Sequence, residues 1–142
     1  MAVVNVVYYS KKGNTQKVAE AIAEVCGVEA FDIEEPHTIG ETDLLFIGMG
    51  IYAGKPDQLL LDYLDNLPVN TIRGAALFST SARGKDSTEL VVHLLKHKGI
   101  TIYPKRLTIK GQFLFFNRGR PNEKDLKKAK NFAKEVLQSF QG

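Results

Sequence analysis

The 142-residue sequence contains a single cysteine, Cys26. One thiol cannot form an internal disulfide bond, and such cysteine usage is typical of a reducing compartment, so we expect a cytoplasmic protein. No segment approaches the ~18 consecutive apolar residues of a transmembrane helix. The first residues also lack the positive charge with which a signal peptide begins. We therefore expect no membrane among the partners of this protein.

A large net charge is also missing. The net charge is +3, although the first half of the chain is acidic and the second half is basic. A nucleic-acid-binding domain usually concentrates its lysines and arginines in one stripe, so this small surplus argues against nucleic acid as a partner. Hydrophobic residues at 44% and charged residues at 25% are ordinary for a globular protein. The length favours one domain that spans residues 1–142.

Five apolar segments are present, and helical patterns separate them. Most of the segments are continuous apolar runs, which is typical of strands that are buried on both faces. These predicted strands lie at residues 2–9, 28–33, 44–49, 74–80 and 100–109.

Four segments have apolar residues at helical spacing. The third is expected to begin at Asp86, whose carboxylate can cap the helix while Glu89 reaches back, and to end at Gly99. No helical pattern occurs at residues 33–43, so this connection is expected to be a loop. The other three patterns follow residue 15, the Pro56-Asp57 pair and Asn122.

This alternation indicates an α/β protein with a three-layer, doubly wound, five-stranded parallel sheet and helices on both faces. Right-handed crossovers permit few strand orders, and the order 2-1-3-4-5 places the first strand in the interior. That order puts a ligand crevice at the carboxyl ends of the first and third strands.

Residues 10–15 connect the first strand to the first helix. Free backbone N–H groups and the helix dipole make such a position a site for an anion. Gly13 permits close approach of the backbone, and Ser10, Asn14 and Thr15 supply hydrogen-bond donors. An ordinary strand-to-helix turn with an Asn or Thr cap uses the same residue types, so this segment alone does not distinguish the two.

Together with the later loops, the segment resembles the phosphate loop of short-chain flavodoxins and flavodoxin-like FMN-binding proteins, and the resemblance covers the whole chain. The family's loop reads roughly T/S-x-T/S-G-x-T, and this sequence departs from it at Lys12, where a lysine can neutralise phosphate charge instead. The resemblance implies FMN as cofactor. It implies that the loop residues bind it, namely Ser10, Lys11, Lys12, Gly13, Asn14 and Thr15.

The resemblance also implies that the flavin ring lies between the loops after the third and fourth strands. Tyr52 is the aromatic residue expected to stack on the ring. Gly50 and Gly54 would let backbone groups approach the ring edge and bond flavin N5. The implied ring-binding residues are Met49, Gly50, Ile51, Tyr52, Ala53 and Gly54, followed by Thr80, Ser81, Ala82, Arg83 and Gly84.

The sequence differs from typical flavodoxins after the fourth strand, where the family has a second aromatic residue and nearby acids. Residues 80–84 contain neither. One face of the ring is therefore expected to be open, covered by Met49 or Ile51, or reserved for a substrate. Positive charge at Lys55, Arg83 and Lys85 would flank the ring, so we expect a less negative potential for the second electron than in acidic flavodoxins.

Three other patterns in the sequence resemble functional motifs but have more ordinary explanations. The segment from Gly48 to Ala53 matches the dinucleotide fingerprint G-x-G-x-x-G/A, but that fingerprint belongs in the first strand-to-helix turn. His93 and His97 have metal-ligand spacing but lack the glutamate of a zinc motif, so a solvated helix end is expected. Cys26 lies on an apolar helix face and is expected to pack as a small hydrophobic residue.

Three functions remain open. Two related architectures lack their essential residues here: a phosphorelay receiver lacks its aspartates, and a low-molecular-weight phosphatase lacks its first-loop cysteine. The resemblance favours a small soluble electron carrier between redox enzymes, with no catalytic residue and with unknown donor and acceptor proteins as partners. An FMN oxidoreductase acting on a small substrate such as a quinone, or a flavin-free interaction module, is the alternative.

The charge division predicts two edges of opposite sign on either side of the FMN site. An uneven field of this kind can orient a charged partner, or it can simply keep the protein soluble. Residues 111–116, which include three phenylalanines, are either a docking patch or part of the core. The acidic edge is expected to contain Asp32, Glu34, Glu35, Glu41 and Asp43, and the basic edge Lys105, Arg106, Lys110, Arg118 and Arg120.

Overall fold

The computed structural model describes residues 2–68, 70–114 and 117–141. Strands and helices alternate through these ranges, as the sequence predicts. The elements are β1 (Val4–Tyr9), α1 (Asn14–Cys26), β2 (Ala30–Asp32), β3 (Thr42–Tyr52), β4 (Lys55–Pro56), α2 (Gln58–Asp65), β5 (Ile72–Ser81), α3 (Glu89–His97), β6 (Thr101–Ile102), β7 (Leu107–Lys110) and α4 (Glu123–Gln141).

The main sheet is parallel and has the order β2-β1-β3-β5-β6. This confirms the predicted order 2-1-3-4-5, because β5 is the fourth strand of the parallel sheet. The fifth predicted strand, residues 100–109, is divided in two: β6 pairs with the start of β5 and β7 with its end. Pro104 lies in the gap and has no N–H group for a strand ladder.

Side chains that alternate along the central strands fill two cores, one on each face of the sheet. Val6 and Phe78 belong to the core beneath α1 and α4. Their neighbours Val7 and Leu77 belong to the core beneath α2 and α3. Burial on both faces is why these strands read as continuous apolar runs.

The register brings the ends of three strands to one edge of the sheet. Tyr9 at the end of β1 lies opposite Met49 in β3, and Gly50 in β3 lies opposite Thr80 in β5. Since parallel strands end at the same edge, the loops that follow them are neighbours in space. The predicted crevice is at this edge.

Most of the predicted helix boundaries are confirmed. Asp57 occupies the N-cap of α2, and its carboxylate accepts the N–H of Leu59 at 2.9 Å. As predicted, the described connection between β2 and β3 contains no helix. No helix within the described ranges is long and apolar enough to cross a membrane.

The predicted start of the third helix is wrong. The N-cap of α3 is Thr88, two residues later than expected. The carboxylate of Asp86 instead accepts both the N–H and the hydroxyl of Thr88, at 3.0 and 2.6 Å. Glu89 does not reach back to cap the helix, because Arg106 donates a hydrogen bond to its carboxylate at 2.9 Å. Arg106, which is distant in the sequence, therefore pairs with both of the carboxylates that were expected to cap the helix.

Candidate functional site

The loop between β1 and α1 presents backbone donors at the helix end. Gly13 is the N-cap residue of α1 with φ 88°, and no side chain caps the helix there. The hydroxyl of Ser10 accepts the N–H of Gly13 at 2.9 Å, which folds the loop over the end of β1. The first N–H groups of α1 thus lie at a helix start without a capping side chain, where the helix dipole favours an anion.

Two side chains of this loop are fixed by contacts to other loops. Thr15 is buried, and its hydroxyl lies 2.7 Å from the hydroxyl of Thr80 at the end of β5. Asn14 donates from Nδ2 to the carbonyl of Gln112 at 3.0 Å. The loop is therefore held against β5 and against the segment that follows β7.

The two lysines of the loop point in different directions. The ammonium of Lys11 lies 3.0 Å from the carboxylate of Asp57 and 5.0 Å from the centre of the Tyr52 ring. The ammonium of Lys12 lies 4.4 Å from the centre of the Phe113 ring. Each lysine thus reaches one aromatic side chain at the edge of the sheet.

The region after the third predicted strand is a β-hairpin rather than a loop. β3 continues to Tyr52, and β4 pairs back against it in antiparallel fashion. Ala53 and Gly54 form the two-residue turn, both with positive φ, at 51° and 77°. Positive φ at both positions is the signature of a type I′ turn, which matches the twist of paired strands.

The glycines of the apparent dinucleotide fingerprint have packing roles within β3. A Cβ on Gly48 would collide with the ring of Phe78 in the neighbouring strand. A Cβ on Gly50 would lie 2.9 Å from the ring of Tyr52, which folds over it. Since both glycines lie inside a strand and not in a turn before a helix, the dinucleotide interpretation does not apply.

The loop after β5 repeats the geometry of the first loop. The hydroxyl of Ser81 accepts the N–H of Gly84 at 2.9 Å, and its carbonyl accepts the N–H of Gly111 at 3.0 Å. Asn117 donates from Nδ2 to the carbonyls of Ala82 and Gly111, at 2.6 and 3.2 Å. The loops after β5 and β7 are therefore joined by hydrogen bonds.

These three regions surround a cleft of about 150 Å³ at the carboxyl edge of the sheet. A second cleft of about 470 Å³ adjoins it and shares four of its lining residues. Eight of the predicted site residues line the first cleft, namely Lys12, Asn14, Ile51, Tyr52, Ala53, Thr80, Ser81 and Ala82. The second cleft adds the predicted residues Gly54 and Arg83.

The remaining predicted residues support the clefts or lie in the core. Ser10, Lys11, Gly13 and Thr15 shape the phosphate loop through the contacts given above, and Gly84 ends the turn after β5. Gly50 lies beneath the Tyr52 ring, as described. Met49 is 1% exposed in the core beneath α2 and α3, so its side chain does not cover a ligand in the cleft.

The sequence interpretation missed three residues that line the first cleft, Gly111, Gln112 and Phe113. β5 lies between β3 and β7 in the sheet, so the hairpin and the segment after β7 flank the end of β5. Phe113 is therefore a second aromatic residue that lines this cleft together with Tyr52, and the residue is 39% exposed. Phe115 and Phe116 of the same predicted patch lie outside the described residues.

The acidic and basic edges are predicted on opposite sides of the sheet. β2 is an outer strand of the sheet, which agrees with an acidic edge at Asp32. Three of the five cations predicted for the basic edge are neutralised by nearby carboxylates. The pairs are Lys105 with Glu135, Arg106 with Asp86 and Glu89, and Arg120 with Asp125. These ion pairs lower the net charge of the basic edge at these positions, while β6 and β7 do lie on the side of the sheet opposite β2.

Ionisation near the cleft follows from its hydrogen bonds. The N–H of Leu59, together with the ammonium of Lys11, holds the pKa of Asp57 below its usual value. In turn, the hydrogen bond to the Asp57 carboxylate and its negative charge raise the pKa of Lys11. Both groups are therefore charged at neutral pH, and the Lys11–Asp57 bridge ties the phosphate loop to the start of α2.

Among the described residues, no histidine or cysteine lines either cleft. The described residues contain no group of three or more His, Cys, Asp or Glu side chains that could hold a metal ion. His93 and its neighbour Glu89 are exposed and 3.8 Å apart on α3. Burial raises the pKa of Cys26 to about 11, so its thiol is protonated at neutral pH and packs against the first core.

Comparisons with known proteins bear on the family and the fold of this chain. A family model for the flavodoxin domain matches residues 5–115. An uncharacterized protein of Methanocaldococcus jannaschii is 34% identical over 140 residues, which cover 89% of this chain and 91% of that protein.

Two solved structures share the fold at lower sequence identity. A flavodoxin from the domain Archaea superposes with a TM-score of 0.76 at 19% identity, covering 98% of this chain and 99% of its own. Flavodoxin 1 of Bacillus cereus superposes with a TM-score of 0.74 at 18% identity, covering 96% and 98%. Both have the layered arrangement described above.

Proposed function

The chain belongs to the flavodoxin domain family, and on that premise we propose that it binds FMN and acts as a small cytoplasmic electron carrier between redox enzymes. The observation that carries this proposal is the cleft itself. It extends from the start of α1, which no side chain caps, to a region lined by two aromatic side chains, Tyr52 and Phe113.

The phosphate end of FMN fits the loop between β1 and α1. The N–H groups at the start of α1 would bind phosphate oxygens, and the ammonium of Lys12 would supply the opposite charge. At this position, Lys12 would thus provide a cation where the family has a residue with a hydroxyl group. The hydrogen bond between Thr15 and Thr80 would support the phosphate site indirectly, because it fixes this loop to β5.

The ring end of the cofactor fits the other half of the cleft. Tyr52 and Phe113 offer aromatic faces, and Ala53 and Ala82 are small enough to leave room between them. Bound FMN would supply one- and two-electron transfer. The protein's part is to hold the ring, to exclude water from the covered faces and to set the local charge.

A carrier role is favoured because, among the described residues, the lining of the first cleft includes no aspartate, glutamate, histidine or cysteine side chain. One observation favours an alternative, an FMN oxidoreductase acting on a small substrate. The adjoining cleft, lined by Gly54, Arg83, Lys85 and Ser87, has room for a second molecule beside the ring. The flavin-free interaction module is supported only by the departure at Lys12 and by the missing aromatic residue after β5.

The first experiment measures flavin binding to the apoprotein by quenching of flavin fluorescence. We expect FMN to bind at least about a hundredfold more tightly than riboflavin, because riboflavin lacks the phosphate. Phe113→Ser should weaken the binding of both flavins by about tenfold, since it removes a ring contact and not a phosphate contact. Leu90→Ser, at an exposed position on α3, is the matched control. A protein that binds neither flavin contradicts the proposal.

A second experiment separates the carrier from the enzyme. FMN-loaded protein is mixed with a nicotinamide donor and a quinone, with and without a flavoprotein reductase. A carrier shows electron transfer only when the reductase is present. Steady turnover of the quinone without the reductase would favour the oxidoreductase.

A further inference from the structure

Four cations around the mouth of the two clefts have no ion-pair partner among the described residues. Arg83 and Lys85 line the second cleft. Lys55 follows the hairpin turn at Gly54, and it is exposed. Lys110 ends β7, and its side chain lies against Gly84, so close that a Cβ there would be 2.8 Å from Lys110 Cγ. We call these four cations the basic mouth.

The carboxylates that are close to the basic mouth in the sequence, Asp57, Asp86 and Glu89, pair with other cations. Asp57 pairs with Lys11. Asp86 pairs with Arg106, which also holds Glu89. Since each of these acids already has a cation, the field at the basic mouth is positive.

An exposed apolar residue stands beside these charges. Leu114 follows Phe113 at the edge of the first cleft and is 65% exposed. Its φ is 55°, in the left-handed region that a leucine rarely adopts. The segment thus holds an apolar side chain in solvent next to the cleft. A small apolar centre with a charged rim is typical of a transient protein interface.

We propose that the basic mouth and Leu114 form a docking surface for an acidic redox protein, so that its carboxylates meet these cations while its redox centre approaches the cleft. This inference rests on the proposed carrier function. Lys12 is not counted with the basic mouth, because its ammonium lies over the Phe113 ring. Attraction between opposite charges raises the encounter rate, and the effect falls with added salt.

The test uses two forms of one acceptor, cytochrome c, which is basic, and succinylated cytochrome c, whose lysines carry carboxylates. Reduced FMN-loaded protein is mixed with each acceptor over an ionic-strength series. At low salt we expect the succinylated form to be reduced at least about tenfold faster than the native form. The advantage should disappear at high salt.

Paired variants locate the effect on the surface. Lys85→Glu with Lys110→Glu should remove the advantage of the acidic acceptor. Lys96→Glu with Lys134→Glu changes the net charge equally at exposed positions on α3 and α4, and it should leave the advantage within about twofold of the parent. Equal losses in both pairs would mean that only net charge matters, which overturns the docking surface.

Leu114→Ser separates a protein partner from a small anion. It should weaken binding of succinylated cytochrome c and leave the rate of reduction of ferricyanide, a small trianion, unchanged. If the reversals at Lys85 and Lys110 slow ferricyanide equally while Leu114→Ser affects neither acceptor, the basic mouth is a small-anion site and the proposal is wrong.

An equilibrium measurement distinguishes failure of this inference from failure of the proposed function. Binding of succinylated cytochrome c to the flavin-free protein is followed by calorimetry at low salt, for the parent and both pairs of reversals. Binding that is lost only in the Lys85 and Lys110 pair supports docking even if FMN does not bind. Absence of binding to a protein that does bind FMN overturns docking alone.

Discussion

At the scale of single residues, the phosphate loop depends on one backbone conformation. Gly13 has φ 88°, and a Cβ there would touch no other atom within 4 Å. Space is therefore not the constraint at this position. The constraint is the left-handed conformation, which costs a residue with a Cβ roughly 1–2 kcal/mol.

Gly13→Ala should therefore weaken FMN binding by about tenfold, because the loop would relax away from φ 88° and turn its N–H groups. Riboflavin binding should change much less, since it makes no phosphate contact. The measurement is a fluorescence titration with both flavins. Gly40→Ala, at an exposed glycine without positive φ, is the control. Equal weakening of both flavins would contradict a phosphate role for this loop.

At the scale of elements, the hairpin between β3 and β4 carries strain at its turn. Ala53 has φ 51°, although asparagine or glycine is the usual first residue of a type I′ turn. The hairpin forms one wall of the cleft, so its rigidity bears on ligand binding. The strain lies at the turn and not in the paired strand residues.

Ala53→Asn should raise the free energy of unfolding by about 1 kcal/mol, because asparagine tolerates the left-handed region. Asn70 has φ 67° in another turn, so Asn70→Ala should lower the free energy by a similar amount. Urea unfolding of the flavin-free proteins measures both changes. Changes of the same sign in the two variants would show that the turn conformations are not responsible.

The start of α4 depends on a buried carboxylate. Asp125 accepts two hydrogen bonds from Arg120, at 2.8 and 2.6 Å, and a third from the N–H of Asn122 at 2.9 Å. Asn122 in turn accepts the N–H of Asp125 at 2.9 Å, which completes a capping box. The Arg120 guanidinium, more than any other group, holds the pKa of Asp125 below its usual value.

Asp125→Asn should lower the free energy of unfolding by about 2 kcal/mol at pH 7. Because the folded pKa is depressed, the contribution of Asp125 is complete above its unfolded pKa of about 4 and is lost as the pH falls through the folded value. The difference between parent and variant should therefore narrow below pH ~4. Glu123→Gln, at an exposed residue of the same turn, is the control. A difference independent of pH would mean that the charge of Asp125 contributes nothing.

At the scale of the whole molecule, long-range pairing decides where the positive charge acts. Arg120 is bound to Asp125, so reversing its charge would disturb α4 and would not report on partner steering. Arg83, which has no ion-pair partner among the described residues, lies at the mouth of the clefts. Charge at this place acts on the electron affinity of a bound flavin.

Arg83→Glu should make the potential of the second electron more negative. A charge about 8 Å from the ring at an effective dielectric of ~20 contributes about 2 kcal/mol, or ~90 mV, before salt screening. Because Arg83 is exposed, we expect a shift on the order of tens of millivolts. Redox titration of the parent, Arg83→Glu and the distant control Lys134→Glu measures it. An unchanged second couple would mean that the Arg83 side chain is fully screened by solvent.

The sequence by itself determined the layered fold and the position of the loop between β1 and α1. Both depend on short-range information: the continuous apolar runs, the helical spacing between them, and Gly13 at the end of a strand. The strand order then follows from the handedness of the crossovers. These features do not depend on how the surface side chains are arranged, so the sequence pattern alone predicts them.

Only the tertiary structure decided how the cleft is closed and charged. Phe113 lines the same cleft as Tyr52 because β7 pairs with the end of β5, a contact between segments far apart in the chain. Met49 is buried in the core because strand residues alternate between faces, and the extension of β3 to Tyr52 fixes that alternation. Arg106 forms ion pairs with Glu89 in α3 and with Asp86 in the loop before it. Such partners are chosen by packing in three dimensions, and local sequence carries no record of them.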